Sequence, residues 1–289
     1  MGRCLGLVLW LCLCAGAVWA QDAPFAAFDL ASAPVLNDPH DIEIGPDGHL
    51  YVADKFGDRI VVMDADTLEL LWTFGDGELS GVHDISFGPD GLAYVAVTGL
   101  SRVDVFEIEG ETATRVASLG AVSRTEGVLA HSNGRVYVMA SGTGDLIAFE
   151  QNAAVAGVGG FFGAHDVAEA PDGTIWVGDN RARRLVQLDQ DLRFLRSLDA
   201  PKFGFVGPRY LDVDDFGRLI VADQDAHRIL LIDPNGPDGG TLLGVLGDGT
   251  PGIGEGKFDD PEGAEEFGGR YYFADSDNNR IVRYSVVLN

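Results

Sequence analysis

Short apolar runs alternate with polar turns along the chain, and the alternation repeats. In the first unit an apolar strand at 42–44 (Ile-Glu-Ile) meets the turn Pro46-Asp47-Gly48. A second run follows at 50–52 (Leu-Tyr-Val), then a polar hairpin, a third run at 59–63, another turn, and a fourth run at 68–74. β-branched and aromatic residues set between Gly, Asp and Pro turns predict strands. The central turn glycine recurs as Gly48, Gly91, Gly134, Gly173, Gly217 and Gly269, with spacings of 39 to 52 residues. A period in that range marks a propeller or a solenoid. Four strands per unit, repeated six times, predict an all-β, six-bladed propeller. No helical periodicity of useful length interrupts the pattern, so residues 21–289 read as one domain. The last unit stops after its third strand, and the β-like stretch at 25–30 is expected to supply the missing outer strand and close the ring.

A second periodic feature pairs Asp54 with Arg59, Asp179 with Arg184, Asp223 with Arg228, and Asp275 with Arg280, always five apart. The spacing puts a carboxylate and a guanidinium at the two ends of one tight hairpin, as a building device of the blade. Val97 and Ala140 replace the Asp in blades 2 and 3, which predicts that those two hairpins drift furthest from the common form.

Residues 1–20 read as a secretory signal, with Arg3, an apolar stretch, and Val18-Trp19-Ala20 before Gln21. No second apolar run long enough for a bilayer span follows. The expectation is an exported protein, periplasmic or extracellular, without a membrane span. All three cysteines (Cys4, Cys12, Cys14) lie in the signal, so the mature chain is expected to have no disulfide, thiolate ligand or cysteine nucleophile. Loss of Arg3 with the signal takes the formal net charge from −25 to −26. That charge disfavours nucleic acid and anionic membranes as partners, and is compatible with a cation or a basic protein partner.

Candidate chemistry sits in one repeat position, eight residues before the turn glycine: His40, His83, Glu126, His165 and Arg209, with Glu262 in blade 6 after one deletion. The slot opens each inner strand, so the six side chains should face one another across the channel mouth. Three of the six histidines of the chain occupy it. His83, His165 and Glu262 come from alternate blades and form a triangle suited to a divalent ion such as zinc, with a position open for water. His40, Glu126 and Arg209 form the other triangle and offer a further ligand, a proton-transfer group and an anion clamp. In a metal-free arrangement, Arg209 pairs with Glu126 or Glu262 instead. Asp41, Asp84 and Asp166 follow the histidines and point the other way along the strand; they can orient backbone amides or contribute to a calcium-like oxygen site. Phe161, Phe162, Phe203, Phe205 and Tyr210 flank His165 and Arg209, either as the rim of a small-molecule or peptide pocket or as packing between blades.

The phrase Ala274-Asp275-Ser276-Asp277-Asn278-Asn279-Arg280-Ile281-Val282 and the approach from Gly247 to Gly263 resemble the NHL repeat. The ring is similar to that of the peptidyl-α-hydroxyglycine α-amidating lyases, six-bladed NHL propellers that bind a catalytic zinc through three histidines from alternate blades. His83 and His165 match two of these, and Ala164-His165-Asp166-Val167 is close to the family's form. Glu262 stands where the family has its third histidine, and Lys55 and Ser141-Gly142 stand where its catalytic arginine and tyrosine are expected. The resemblance implies a metal-dependent lyase or hydrolase, with the metal set kept in altered form or completed by His40. The alternatives are a non-catalytic propeller docking a protein or ligand, and a calcium-dependent lactonase, although no Asn occupies the six slots as that class would suggest.

Overall fold

The computed structural model describes residues 24–120 and 122–286; the signal reading at 1–20 and its cysteines lie outside them. Six four-stranded antiparallel sheets follow one another around the ring. Five are sequential, and the sixth is not. Its strands Pro261–Phe267, Arg270–Asp275 and Arg280–Val286 are completed by Ala26–Ala31, which pairs antiparallel with Arg280–Val286. The expected closure is therefore present, one residue later in register than the sequence suggested. The only α-helix among the described residues is the single turn Ala200–Phe203.

The strands are apolar on both faces because each blade is sandwiched between two others. In Leu50–Asp54, Tyr51 and Ala53 pack toward blade 2 with Val82, Ile85 and Val95, whereas Leu50 and Val52 pack toward blade 6 with Tyr272 and Ile281. The period of two along a strand thus feeds two cores at once. Six hydrophobic clusters result, one at each blade interface.

The Asp–Arg pairs are made in all four blades that carry them: Asp54–Arg59 at 2.8 Å, Asp179–Arg184 at 2.8 Å, Asp223–Arg228 at 2.7 Å and Asp275–Arg280 at 2.7 Å. Each Asp also accepts a backbone N–H from the loop approaching its blade, from Asn37, Phe162, Val206 or Asp259. The pair therefore ties a hairpin to the incoming chain. Blade 2 keeps the common 3-10 turn, Thr98–Leu100, without its Asp; Arg102 turns to Asp104 instead, at 2.8 Å. Blade 3 loses that turn. The expected drift thus occurs in blade 3 but not in blade 2.

The inner strands are Pro39–Ile44, Val82–Phe87, Thr125–Ala130, Ala164–Glu169, Pro208–Val213 and Pro261–Phe267. Every one of them has a register shift against its neighbour directly after its first residue. A bulge leaves a residue unpaired and re-aims its side chain. In all six blades the residue at that bulge is the slot residue singled out above.

Candidate functional site

The bulges bring the ring residues together, but along neighbouring blades rather than alternate ones. Glu126 of blade 3 lies between the histidines of blades 2 and 4. Its Oε2 is 2.9 Å from His165 Nε2, and its Oε1 is 4.0 Å from His83 Nε2. Glu262 of blade 6 lies between blades 1 and 5, with His40 Nδ1 at 2.6 Å and Arg209 Nη1 at 3.2 Å. No ion-pair contact links Glu262 to His83 or His165. The expected triangle of His83, His165 and Glu262 therefore does not form a contact set, and the Arg209–Glu262 pair of the metal-free arrangement does.

The two halves differ in proton state. His83 donates from Nδ1 to the Gly81 carbonyl at 2.9 Å, and His165 donates from Nδ1 to the Gly163 carbonyl at 2.7 Å. The identical device fixes the tautomer of both rings and turns both Nε2 lone pairs toward Glu126. Burial, with the charge of His40 beside it, pushes His83 down to about 3. Burial also lowers His165, outweighing the opposing pull of Glu126. Both rings are neutral acceptors at pH 7. Glu126 is itself almost fully buried, and its Oε2 has no aligned hydrogen-bond donor despite the close approach of His165. Burial opposes its ionisation, Arg124 at 3.0 Å from Oε1 favours it, and a proton on His165 would hold the carboxyl well below the usual carboxylate range.

His40 is different. Burial disfavours its charge, but Glu262 and Asp38 more than compensate and raise it above the ordinary histidine value. Its Nε2 is 3.3 Å from Asp38 Oδ2, and Tyr210 Oη is 3.0 Å from its Nδ1. His40 is thus an imidazolium held among carboxylates, 4.6 Å ring to ring from neutral His83. Arg209 is committed twice, to Glu262 and to Gln224 Oε1 at 2.8 Å.

A second ring supports the first, and sequence reading singled out only Lys55 and Ser141 of it. The residue after each hairpin-facing strand, beginning the turn, stands beside the slot residue: Lys55, Thr98, Ser141, Asn180, Gln224 and Ser276. Lys55 pairs with Asp38 at 2.9 Å, and Thr98 Oγ1 accepts from His83 Nδ1 at 2.8 Å. Gln224 donates to Asp260 at 2.8 Å and to Glu262 at 2.5 Å. The equal register of these six polar residues was the available signal.

The predicted aromatic rim divides. Phe162 is exposed and lies near Arg181, while Phe161 is partly buried. Phe205 is buried and stacked on Phe203 between blades 4 and 5. Tyr210 is buried too; its hydroxyl meets His40 and its ring lies edge-on to that of His40, with centroids 5.9 Å apart.

The aspartates after the histidines serve the walls. Asp84 accepts the Val128 N–H at 2.7 Å, Asp166 accepts that of Leu211 at 2.7 Å, and Asp41 accepts that of Ile85 at 3.4 Å, each from another blade. With Glu43, Asp212 and Glu265 they line a channel cavity of about 230 Å³. Burial raises all six carboxyl groups, to about 7 for Asp41 and Asp212 and well above the ordinary value for the others. Blades 3 and 6 carry Gly127 and Gly263 in the aspartate position. A Cβ at either would strike a backbone carbonyl of the following blade, that of His165 or His40.

For a divalent ion, His83, His165 and Glu126 have the right donor chemistry. Two atoms sharing a tetrahedral ion at zinc–ligand distances lie about 3.3 Å apart, and the separations of 2.9 Å and 4.0 Å straddle that figure. The tied Nδ1 groups match the supporting bonds that orient metal-binding imidazoles. Among the described residues, however, no three His, Cys, Asp or Glu side chains are already set to hold an ion; His83 would have to close on Glu126.

Fold and site define a six-bladed β-propeller with a polar cluster at one channel mouth. The sequence signature of the family described as a domain of unknown function, DUF5074, matches residues 44–204, and the chain belongs to that family. No curated protein matches the sequence. Among solved structures the chain is similar to virginiamycin B lyase from Staphylococcus aureus, at 11% identity and a TM-score of 0.62, over 87% of this chain and 96% of that one. It is similar to the PQQ-bound aldose sugar dehydrogenase from Streptomyces coelicolor, at 12% identity and 0.68, over 91% and 98%. A protein of unknown function from Bacteroides thetaiotaomicron matches at 16% identity and 0.71, over 92% and 73%. These likenesses establish the fold.

Proposed function

We propose that this is an exported metal-dependent enzyme of the lyase or hydrolase type, acting at the channel mouth, with His83, His165 and Glu126 as the metal-holding residues. The observation that carries the reading is the pair of histidines tethered through Nδ1, which present Nε2 lone pairs to a buried carboxylate oxygen that lacks an aligned donor. Acceptors meeting acceptors call for a cation between them. A divalent ion there would polarise a substrate oxygen and acidify bound water. Around it, His40 holds a proton between Asp38 and Glu262 and serves as the acid. Arg209 and Gln224 hold Glu262 in place, so Arg209 orients that carboxylate rather than clamping a substrate anion. The NHL-like phrases and the two matching histidines support an amidating-lyase-like origin, with Glu126 in the role of the third ligand. A propeller named as a lyase among the structural neighbours is consistent with this, and a catalytically inactive variant of that enzyme carries alanine in place of a histidine.

A metal-free ligand-binding propeller is the second reading, favoured by the Arg209–Glu262 pair and by the absence, among the described residues, of a closed three-ligand set. Elemental analysis of residues 21–289 prepared without a histidine tag separates the two. About one zinc or other transition ion per chain, lost in His83→Ala/His165→Ala and in Glu126→Gln but kept in Glu262→Gln, supports the first and justifies assays on α-hydroxyglycine peptides and lactones. No ion in any of these proteins after incubation with zinc rejects it in favour of the second.

A further inference from the structure

We infer that Asn180 is a specificity-determining residue of this mouth, and that it holds a neutral carbonyl group of the ligand, a secondary amide fitting it best. The inference rests on the reading of the mouth as a ligand site, though not on the presence of a metal.

The second ring makes the argument. Five of its six side chains are spent inside the protein. Lys55 is bound to Asp38, Thr98 to His83, and Gln224 to Arg209, Asp260 and Glu262. Ser141 donates to the Arg124 carbonyl at 3.2 Å, and Ser276 to the Pro39 carbonyl at 2.6 Å. Asn180 has the same register: Ala164 pairs with Asp179, as Val82 does with Val97 and Pro208 with Asp223. Its turn packs against the strand that carries His165. Yet Asn180 is only 7% exposed, and its side chain makes no hydrogen bond among the described residues. His83 Nδ1 contacts both the Gly81 carbonyl and Thr98, whereas His165 Nδ1 has the Gly163 carbonyl and no contact with Asn180.

Its amide atoms are not among the buried polar atoms sealed from solvent, so an amide with no protein partner offers its donors and its acceptor to whatever displaces the water there. The surroundings select what that ligand offers. Glu126 Oε2, beside His165, lacks an aligned donor and repels an anion. Arg209, Arg124 and Lys55 are each already paired with a carboxylate. His40 is held between Asp38 and Glu262, and Arg181 is exposed on the rim with Phe162. A carboxylate would therefore meet no free positive charge in the buried slot. A secondary amide answers both needs of Asn180, its C=O accepting from Nδ2 and its N–H donating to Oδ1.

The test uses residues 21–289 with asparagine side chains labelled with ¹⁵N, titrated with N-acetyl dipeptide methylamides and with the matching free acids. The Asn180 side-chain signal is assigned by its loss in Asn180→Ala. The expected result is a saturable shift of that signal with the methylamides, much weaker binding of the acids, and affinity for methylamides reduced about tenfold in Asn180→Ala, the scale of one or two neutral hydrogen bonds. Asn180→Asp, close in shape, should bind no better than Asn180→Ala and guards against a folding artefact. Unchanged affinity in both variants, acids binding more tightly than amides, or no shift at all would overturn the inference. Metal content measured on the same samples keeps the two claims apart: amide binding without zinc leaves Asn180 in its role while rejecting the metal, and zinc without amide binding does the reverse.

Discussion

Glu126 Oε2 and His165 Nε2 lie 2.9 Å apart with no aligned hydrogen between them. The other nitrogen of His165 already donates to a glycine carbonyl, so the contact joins a carboxylate oxygen to a lone pair. Most features of the mouth follow from resolving that conflict. In the absence of an ion, a proton on His165 would have to resolve it.

Glu126→Gln supplies an N–H donor where the conflict lies. The substitution should raise the thermal midpoint of the metal-free protein by a few degrees, through one new hydrogen bond at a buried acceptor, and abolish ion uptake. Calorimetry with and without zinc reads both effects. A lowered midpoint in the metal-free protein would show that the carboxylate is satisfied by a protonated His165.

Gly127→Ala should damage the site from behind. The new Cβ meets the His165 carbonyl, and backbone cannot yield as a side-chain tip does. Overpacking of this kind costs about 1–3 kcal/mol, and it displaces His165 as well. Urea unfolding should show the loss of stability, with loss of ligand or ion binding beyond it. Gly120→Ala, where φ is not positive and a Cβ would meet nothing within 4 Å, serves as the comparison.

Arg280→Ala leaves Asp275 fully buried without its guanidinium. Removing one partner of such a pair costs about 3–5 kcal/mol. The loss should appear as early unfolding of the closing blade, seen as faster amide exchange in Ala26–Ala31 and Arg280–Val286 than in blade 3.

The channel carboxyls set a pH dependence of known sign. Asp41 and Asp212 are raised to about 7 by burial, so the folded state binds protons that the unfolded state releases. Their stabilising contribution is complete below the unfolded carboxylate range and is lost as pH rises through about 7. His40, also raised, acts in the same direction, while lowered His83 and His165 oppose it only below about pH 6.5. The urea midpoint should therefore be higher at about pH 6.5 than at about pH 8. A midpoint that climbs through that interval would contradict the assignment.

Blade number, strand order and ring closure were legible because a period of two and a recurring turn glycine are properties of the chain itself. The ring slot was legible for the same reason, since register alone places His40, His83, Glu126, His165, Arg209 and Glu262 together. Which of them touch was not. Repeat symmetry suggested alternate blades, whereas contact is decided by bulge geometry and side-chain length, so the longer Glu126 and Glu262 reach the shorter histidines of adjacent blades. One signal was only half used: each His slot is followed by Asp, as noted, but each Glu slot is followed by Gly. The aspartates span to another blade's N–H, and the glycines admit the next blade's carbonyl, so the two pairings mark two kinds of blade contact. Asn180 escaped because nothing in its own segment distinguishes it from a turn residue; only its five satisfied counterparts do.

The most direct test is X-ray absorption at the zinc edge on residues 21–289 loaded with one equivalent of zinc. The account predicts two imidazole ligands and one carboxylate at about 2.0–2.2 Å, with no zinc held by His83→Ala/His165→Ala or by Glu126→Gln. Failure to take up zinc, or a shell without two imidazoles, would contradict the central claim.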